Sequence, residues 1–92
     1  MNKEIEKSIG LRIQMRRRSL ALSSTQLAKL IGISQQQLSR IENAECKISA
    51  YRLFQIAVIL DTPINWFFQD CYLEKKQFSF DIHSKHRRNS KR

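Results

Sequence analysis

The sequence predicts a single all-α domain with a short strand-like segment and a basic tail at its C-terminus. Its 92 residues leave room for one hydrophobic core. The chain contains one proline and two glycines, and its apolar residues recur at helical spacing with no strong alternation before residue 77. We therefore expect a five-helix domain over residues 1–70, a C-terminal segment over residues 71–82 and a disordered basic tail over residues 83–92.

The charge balance favours a polyanionic partner. Lys and Arg number 17 against 8 Asp and Glu, which gives a formal net charge of +9. Around so small a domain, a field of this strength attracts nucleic acid above all. No apolar run is long enough for a transmembrane helix, and the charged N-terminus lacks the apolar region of a signal peptide. We therefore expect a cytoplasmic protein that does not interact with membranes.

Catalysis and metal binding are not expected. The two glycines are too far apart for a phosphate-binding loop, and His83 and His86 lie in the polar tail, where nothing would hold a catalytic base. Cys46 and Cys71 are 25 positions apart, unlike the closely spaced ligands of a zinc knuckle. We therefore expect a binding protein with no enzyme activity, no cofactor, no metal and no disulfide framework.

The first predicted helix runs from Lys3 to about Leu20 and carries two apolar stripes. The longer stripe faces the core and includes one charged residue; its members are Ile5, Ile9, Ile13, Arg17 and Leu20. Leu11 and Met15 form a second, shorter stripe. We expect either the C-terminal segment or a partner subunit to cover this second stripe.

Two capping boxes, eleven residues apart, predict a helix-turn-helix over about residues 24–43. Ser23 begins the first box and Gln26 closes it, while Ser34 and Gln37 repeat the pattern before the third helix. Gly32 ends the second helix, because glycine takes the left-handed conformation without steric cost. Two short helices joined by such a turn form a helix-turn-helix.

Two further helices are predicted beyond this motif. Ser49 is expected to cap a fourth helix that ends near Leu60. Thr62 is expected to cap a fifth helix with Pro63 at its first position, where proline sacrifices no hydrogen bond, and with its end near Asp70. Beyond that helix apolar and polar residues alternate in a strand-like pattern, with three apolar residues on one side: Phe78, Phe80 and Ile82.

The segment from Ser8 to Asp70 resembles the DNA-binding domain of the Cro/C1-type (XRE family) helix-turn-helix regulators. The resemblance rests on positions spread along the segment: Ile9, Ile13, Arg17, Leu27, Ala28, Gly32, Ile33, Ser34, Leu38 to Asn43, Ile56, Ala57, Leu60 and Pro63 to Phe67. It implies a lambda-repressor-like fold and a homodimer that binds a palindromic operator in double-stranded DNA. It also implies a transcriptional regulator of bacterial or phage type, more often a repressor, that associates with the nucleoid through DNA.

The segment departs from the family pattern at a few positions. Ser24 stands where a long polar residue is usual. Ala44 and Glu45 stand where glycine and a basic residue are usual, Ile48 replaces a common proline, and Asp61 replaces a glycine after the fourth helix. We expect these changes to keep the fold and to weaken the loop after the third helix as a phosphate contact.

The resemblance assigns roles to individual residues. The third helix is expected in the major groove, where its first residues face base edges; the base readers are Gln35, Gln36, Ser39 and Arg40. The expected phosphate contacts, which position the protein without reading sequence, are Ser23, Ser24, Thr25, Ser34, Gln37, Lys47 and Arg52. The family pattern also pairs Arg17 with Glu42 as a structural ion pair between the first and third helices.

The dimer surface is expected to consist of apolar residues that the core leaves over. Phe67 and Phe68 cannot both point inward on a short helix, so one of them is a candidate dimer contact. Phe78, Phe80 and Ile82 are further candidates, through strand pairing across a two-fold axis. An equally weighted alternative is that this segment covers the second stripe of the first helix within its own chain.

A second hypothesis assigns the protein a different role. It could be an antitoxin-like or adaptor subunit whose main task is to bind a partner protein through the apolar C-terminal segment. Under that hypothesis, replacing Phe78 and Phe80 with serine would abolish binding of the partner and leave DNA affinity intact. Nonspecific RNA binding ranks last, because the helical pattern offers no exposed aromatic platforms for base stacking.

Overall fold

The computed structural model describes residues 3–74, and every regular element in this range is helical. In chain order the elements are α1 (Lys3–Ser19), α2 (Ser24–Ile31), α3 (Gln35–Glu42), α4 (Ala50–Ile59), a 3₁₀ helix (Ile64–Phe68) and α5 (Gln69–Glu74). The predicted all-α fold is confirmed. The strand-like segment with Phe78, Phe80 and Ile82, the two histidines and the basic tail lie outside the described residues.

Two further properties of residues 3–74 bear on possible partners. No helix in this range is both long enough and apolar enough to cross a membrane. No three metal-ligating side chains of the same range come together. Since His83 and His86 lie beyond residue 74, the expected absence of a metal stays a prediction.

α1 and α3 approach each other closely at Gly10. Ile9 and Ile13, on the same side of α1, are buried in the core. A Cβ atom at position 10 would collide with the carbonyl oxygen of Glu42 and would lie 2.9 Å from the carbonyl oxygen of Ile41. Glycine therefore lets the backbone of α1 reach the end of α3, and this contact holds α3 against the core.

The end of α1 corrects one expectation. Leu20 was expected on the buried stripe, but it is exposed. The helix ends at Ser19, and the backbone then turns through Ala21, whose φ of 60° lies in the left-handed region. This turn carries Leu20 away from the stripe. Leu11 and Met15, the second stripe, are exposed, and their cover by the C-terminal segment or a partner subunit stays a prediction.

The helix-turn-helix consists of α2 and α3, each with a serine cap. Ser23 Oγ accepts a hydrogen bond from the Gln26 backbone N–H at 3.0 Å, and the Gln26 side-chain oxygen accepts one from the Ser23 backbone N–H at 2.8 Å. Gly32 ends α2 with a φ of 85°. Ser34 Oγ caps α3 by accepting from the Gln37 backbone N–H at 3.0 Å, while the Gln37 side chain is exposed. The first capping box therefore has both of its hydrogen bonds. The second has the bond to its serine side chain.

The chain after α4 differs from the prediction. Pro63 is the cap of the 3₁₀ helix rather than the first residue of an α-helix, because its ψ of 140° is extended, and α5 begins only at Gln69. Thr62 does not cap this helix. Its Oγ1 donates to the Leu60 carbonyl oxygen at 2.9 Å and accepts from Arg16 Nε at 2.7 Å. The Thr62 hydroxyl and Arg16 therefore close the end of α4.

Phe67 lies in the core, so of the two phenylalanines it is not the candidate dimer contact. Its side chain is fully buried in the core, and the 3₁₀ helix that carries it packs against α1, α4 and α5. The Trp66 ring packs edge-on against it, with ring centroids 5.1 Å apart and planes at 87°. Phe68 is half-buried, so it stays a candidate for the contact. The 3₁₀ helix has three residues per turn, and this tight turn places a single phenylalanine fully inward.

Arg12 joins α1 to the C-terminal helices. Its Nε and Nη2 donate to the two carboxylate oxygens of Asp70, at 3.0 Å each, and its Nη1 donates to the Trp66 carbonyl oxygen at 3.2 Å. The guanidinium also lies 4.4 Å from the centre of the Trp66 ring. Hydrogen bonding lowers the pKa of the Asp70 carboxyl and raises the pKa of Arg12, so the pair is charged at neutral pH. The sequence pattern does not indicate this contact, because Arg12 lies outside the apolar stripes of α1.

Candidate nucleic-acid interface

The solvent-facing side of α3 carries the four predicted base readers. Gln35, Gln36 and Arg40 are exposed, and Ser39 is half-buried. At about 100° per residue these four positions share one face of the helix, and the opposite face is buried in the core. The side chains on the exposed face are amides, a hydroxyl and a guanidinium, which are the groups that form hydrogen bonds with base edges.

Gln35 is held at the first turn of α3 by a residue of α2. Its Nε2 donates to Ser24 Oγ at 3.2 Å. The bond orients the Gln35 amide and uses one of its two N–H groups, so the second N–H and the carbonyl oxygen remain for a base. Ser24 was predicted to contact a phosphate. In this geometry the Ser24 hydroxyl oxygen accepts a hydrogen bond from Gln35, and the hydroxyl hydrogen can still be donated.

The first turn of α2 combines hydroxyl groups with backbone N–H groups. Ser23 caps the N–H of Gln26, and the N–H groups of Ser24 and Thr25 lie at the open end of the helix, outside its internal hydrogen-bond ladder. The Thr25 side chain is exposed. Such a helix end favours an anion through its free amides and its dipole, and the bond between Ser24 and Gln35 places it beside the start of α3.

Lys47 and Arg52 follow α3 in the chain, but their surroundings differ. Lys47 is exposed in the loop between α3 and α4. Arg52 is half-buried, and its Nη1 donates to Gln55 Oε1 at 2.9 Å. Gln55 in turn donates from Nε2 to the Ile31 carbonyl oxygen at 3.2 Å. These bonds tie Arg52 towards the end of α2, so Lys47 is better placed than Arg52 to follow a phosphate.

The loop after α3 makes a left-handed turn without glycine. Ala44 is buried with a φ of 59°, and the Glu45 N–H donates to the Arg40 carbonyl oxygen at 2.7 Å. Asp61, after α4, has a φ of 53°. Such a conformation costs a non-glycine residue about 1–2 kcal/mol. Ala44 and Asp61, two departures from the family pattern, therefore keep the backbone conformation that glycine favours. The exposed Glu45 adds a negative charge two positions before Lys47.

Arg17 and Glu42 form a buried ion pair between α1 and the last turn of α3. Arg17 Nε donates to Glu42 Oε2 at 2.8 Å, and Arg17 Nη2 donates to Glu42 Oε1 at 3.0 Å. The Arg17 and Glu42 side chains are only 8% and 4% exposed. Arg17 Nη1 also donates to the Leu22 carbonyl oxygen at 2.9 Å. The pair fixes the end of α3 relative to α1 and to the start of the helix-turn-helix.

Comparison with known families agrees with this architecture. A family model described as helix-turn-helix matches residues 13–67, more than half of the chain. The protein belongs to the Cro/C1-type helix-turn-helix family. The matched range begins within α1 and ends in the 3₁₀ helix, so it includes α2, α3, α4 and both partners of the buried ion pair.

Similar proteins, named as transcriptional regulators, occur in several bacteria. A protein of Rhodospirillum rubrum named as a transcriptional regulator in the ATPase CF(0) region is 41% identical over 66 residues, which cover 72% of this chain and 61% of that protein. An HTH-type transcriptional regulator of Rickettsia conorii is 38% identical over 85 residues, covering 92% of this chain and 66% of its own. One of Sinorhizobium medicae is 36% identical over 66 residues, covering 72% and 48%. The chain thus spans about half to two-thirds of the length of these relatives.

Proposed function

We propose that this Cro/C1-type protein binds specific sites in double-stranded DNA as a homodimer and represses transcription by occupying an operator. The observation that carries the proposal is the exposed polar face of α3, with Gln35 held in place by Ser24. The net charge of +9 supports attraction to a polyanion. The regulator names of the relatives support a role in transcription.

Gln35 and Gln36 are the proposed readers of adenine. With one Nε2 hydrogen donated to Ser24, Gln35 can donate the other to adenine N7 while its oxygen accepts from N6. Arg40 lies five residues further along the same face and can reach guanine or a phosphate. Each good bidentate contact discriminates against the wrong base by about 1–3 kcal/mol. The proposed specificity therefore rests on a few side chains at the start of α3.

Contacts with DNA phosphates on both sides of α3 are proposed to set how deeply this helix lies in the major groove. The open end of α2 with Ser23, Ser24 and Thr25 is assigned to one phosphate, and Lys47 to the other flank. These contacts contribute affinity for any sequence, and that contribution falls as salt rises. A single α3 reads only a few base pairs, so we assign two half-sites, about one helical turn apart, to a two-fold symmetric dimer.

Selection of bound duplexes from a random pool, with affinities repeated over a salt series, tests this function. We expect an enriched palindromic motif. Gln36→Ala should weaken binding to that motif by roughly 5- to 150-fold and barely change binding to random DNA. Gln69→Ala is the matched control, because Gln69 is an exposed glutamine on α5. Absence of any motif, with affinity that vanishes at high salt, would leave charge attraction alone.

Lys47→Ala is expected to act on all DNA alike. Loss of this charge should weaken binding to motif and random duplexes by a similar factor. It should also reduce the slope of log affinity against log salt concentration by about one, the value for one released counter-ion. Lys29→Ala removes the same charge from an exposed position near the end of α2. A change in base preference without a change in slope would contradict the assignment of Lys47 to the backbone.

Ser23→Ala and Ser24→Ala, two neighbouring substitutions of the same kind, should separate capping from reading. Ser23→Ala removes the cap of α2 and should lower the free energy of unfolding by about 0.5–2 kcal/mol. Ser24→Ala should leave the melting temperature unchanged and weaken the preference at the base that Gln35 reads, because the amide loses its anchor. Unchanged selectivity in Ser24→Ala, measured on single-base variants of the motif, would show that the anchor has no part in reading.

A further inference from the structure

The second stripe of α1 is not covered by any of the residues from 3 to 74. Leu11 and Met15 are each 56% exposed. They are four positions apart, so they lie one above the other on the same side of the helix, about 6 Å apart along its axis. Two large apolar side chains in such a line form a surface to which another apolar segment can bind.

A recess of about 130 Å³ opens beside Leu11. It is lined by Lys7 and Leu11 of α1 and by Glu42 and Asn43 at the end of α3. Its volume is close to the ~150 Å³ of a cavity that binds one benzene ring. Lys7 precedes Leu11 by one helical turn, so the recess and the two exposed side chains follow one another along about 12 Å of α1, as far as Met15.

α5 brings the chain to the start of α1. The Asp70 carboxylate accepts hydrogen bonds from the Arg12 guanidinium at 3.0 Å, and Cys71 Sγ lies 3.9 Å from the Ile5 carbonyl oxygen. The contacts with α1 therefore move towards its first turns as the chain enters α5. Since α5 ends three residues after Cys71, residues 75–92 leave the described part of the chain beside the start of α1.

This exit favours the second stripe of α1 over the exposed surface of α4. α4 has a second apolar side, on which Phe54 and Val58 are 57% and 60% exposed. However, α4 packs against α2 and the 3₁₀ helix, whereas α5 packs against α1 and the 3₁₀ helix. Residues that leave from α5 therefore start beside the helix that carries the second stripe.

The apolar residues of the C-terminal segment have the spacing of the second stripe. Phe78, Phe80 and Ile82 alternate with polar residues, so an extended segment would present them on one side at intervals of about 6.8 Å. This interval is close to the ~6 Å between successive turns on one side of a helix. The three side chains would span about 13 Å, which matches the line from the recess to Met15. Residues 75–77 reach up to about 10 Å, enough to pass from α5 to the outer side of α1.

A segment that enters at the start of α1 and follows the second stripe ends near the last turn of this helix. There the short α1–α2 turn leads to Ser23, at the open end of α2 that we assign to a phosphate. Residues 83–92 would begin beside this end and could extend up to about 33 Å from it. They contain five cations: Lys85, Arg87, Arg88, Lys91 and Arg92.

We propose that residues 78–82 bind along the second stripe of α1 in their own chain, with an aromatic ring in the recess beside Leu11, and thereby place the basic residues 83–92 on the DNA backbone next to the open end of α2. Binding of the segment to α1 is independent of the proposed function. The contact with DNA deepens that function and rests on it.

Disulfide formation in the full chain without DNA tests the position of the segment. Met15→Cys with Ile82→Cys, in a Cys46→Ser background that removes the exposed thiol, should form a disulfide within one chain. Leu30→Cys with Ile82→Cys is the matched control, because Leu30 is 58% exposed on α2. In a glutathione buffer the first pair should close at least about tenfold more readily, through its higher effective concentration. Equal closure of both pairs, or a disulfide between two chains, would overturn the proposal.

Thermal melts of single and double variants test the contact itself. Leu11→Ala and Phe80→Ala should each lower the melting temperature by about 4–8 °C, and the double variant should melt no lower than the less stable single one, because both changes break the same contact. Leu30→Ala is the control, and its effect should add to that of Phe80→Ala. An unchanged melting temperature in Phe80→Ala would show that the segment does not bind to the fold.

Binding to duplex DNA over a salt series tests the role of the basic residues. Replacing the five cations of residues 83–92 with serine should reduce the slope of log affinity against log salt concentration by about two to four. Phe80→Ala keeps every charge, yet it should weaken DNA binding at least threefold, because the cations are no longer held beside α2. An unchanged slope in the serine variant, or unchanged affinity in Phe80→Ala, would overturn the DNA contact. If the wild type selects no DNA motif but the Met15–Ile82 disulfide still forms, the position of the segment stands and the proposed function fails.

Discussion

Glu42→Ala is expected to lower the free energy of unfolding by about 3–5 kcal/mol, the cost of leaving one member of a buried ion pair without its partner. Arg17 is only 8% exposed, and two of its nitrogens donate to Glu42. Without the carboxylate its charge has neither water nor a counter-ion. Since a small domain has about 5–15 kcal/mol of stability in total, urea unfolding at low temperature is the suitable measurement.

Two comparisons show whether the buried charge is the cause. Glu45→Ala removes an exposed glutamate three residues away and should change stability by less than about 0.5 kcal/mol. Replacing both partners, with Arg17→Met and Glu42→Leu, should be less damaging than Glu42→Ala, because no unpaired charge stays buried. If the double variant lost as much free energy of unfolding as the two single variants together, this account would be contradicted.

Phe67→Ala is expected to destabilise the fold by about 3–5 kcal/mol, through lost burial and the cavity that remains. The side chain is fully buried and packs edge-on against Trp66. The loss should appear at any protein concentration in thermal or urea unfolding, because it arises within one copy. A dimer contact would instead give a loss that depends on concentration.

Phe54→Ala is the matched control for this prediction. The same atoms are removed, but from a ring that is 57% exposed on α4. In dilute solution its effect on unfolding should be below about 0.5 kcal/mol. If Phe67→Ala cost less than about 1 kcal/mol, the core position of Phe67 would be wrong.

The caps and turns could be predicted because their contacts are local. Ser23, Ser34 and Ser49 each cap a backbone N–H three residues ahead, and Gly32 ends its helix through its own conformation. The α1–α2 turn shows the limit of this reasoning. Ala21 adopts a left-handed φ that alanine disfavours, and no local pattern indicates it. Leu20 was therefore assigned to the wrong side.

The candidate site was predictable in part. The helical period places Gln35, Gln36 and Arg40 on one face, and the family resemblance indicates that this face reads DNA. It does not indicate that Ser24 anchors Gln35, since this bond joins two helices eleven positions apart in the chain. Nor does it show that Gln55 restrains Arg52. Such contacts depend on how the helices pack, so they determine which of the candidate side chains are available to DNA.

The sequence by itself determined the all-α class, the helix-turn-helix and the caps, because each depends on residues that are close together in the chain. It also determined the net charge, which is a sum over composition. The tertiary structure decided which aromatic and cationic side chains are buried. Arg12 meets Asp70 across 58 positions and Arg16 meets Thr62 across 46, while the tight turn of the 3₁₀ helix buries Phe67 and the packing of α4 leaves its second apolar side exposed. These outcomes depend on distances between helices, and a linear pattern carries no information about those distances.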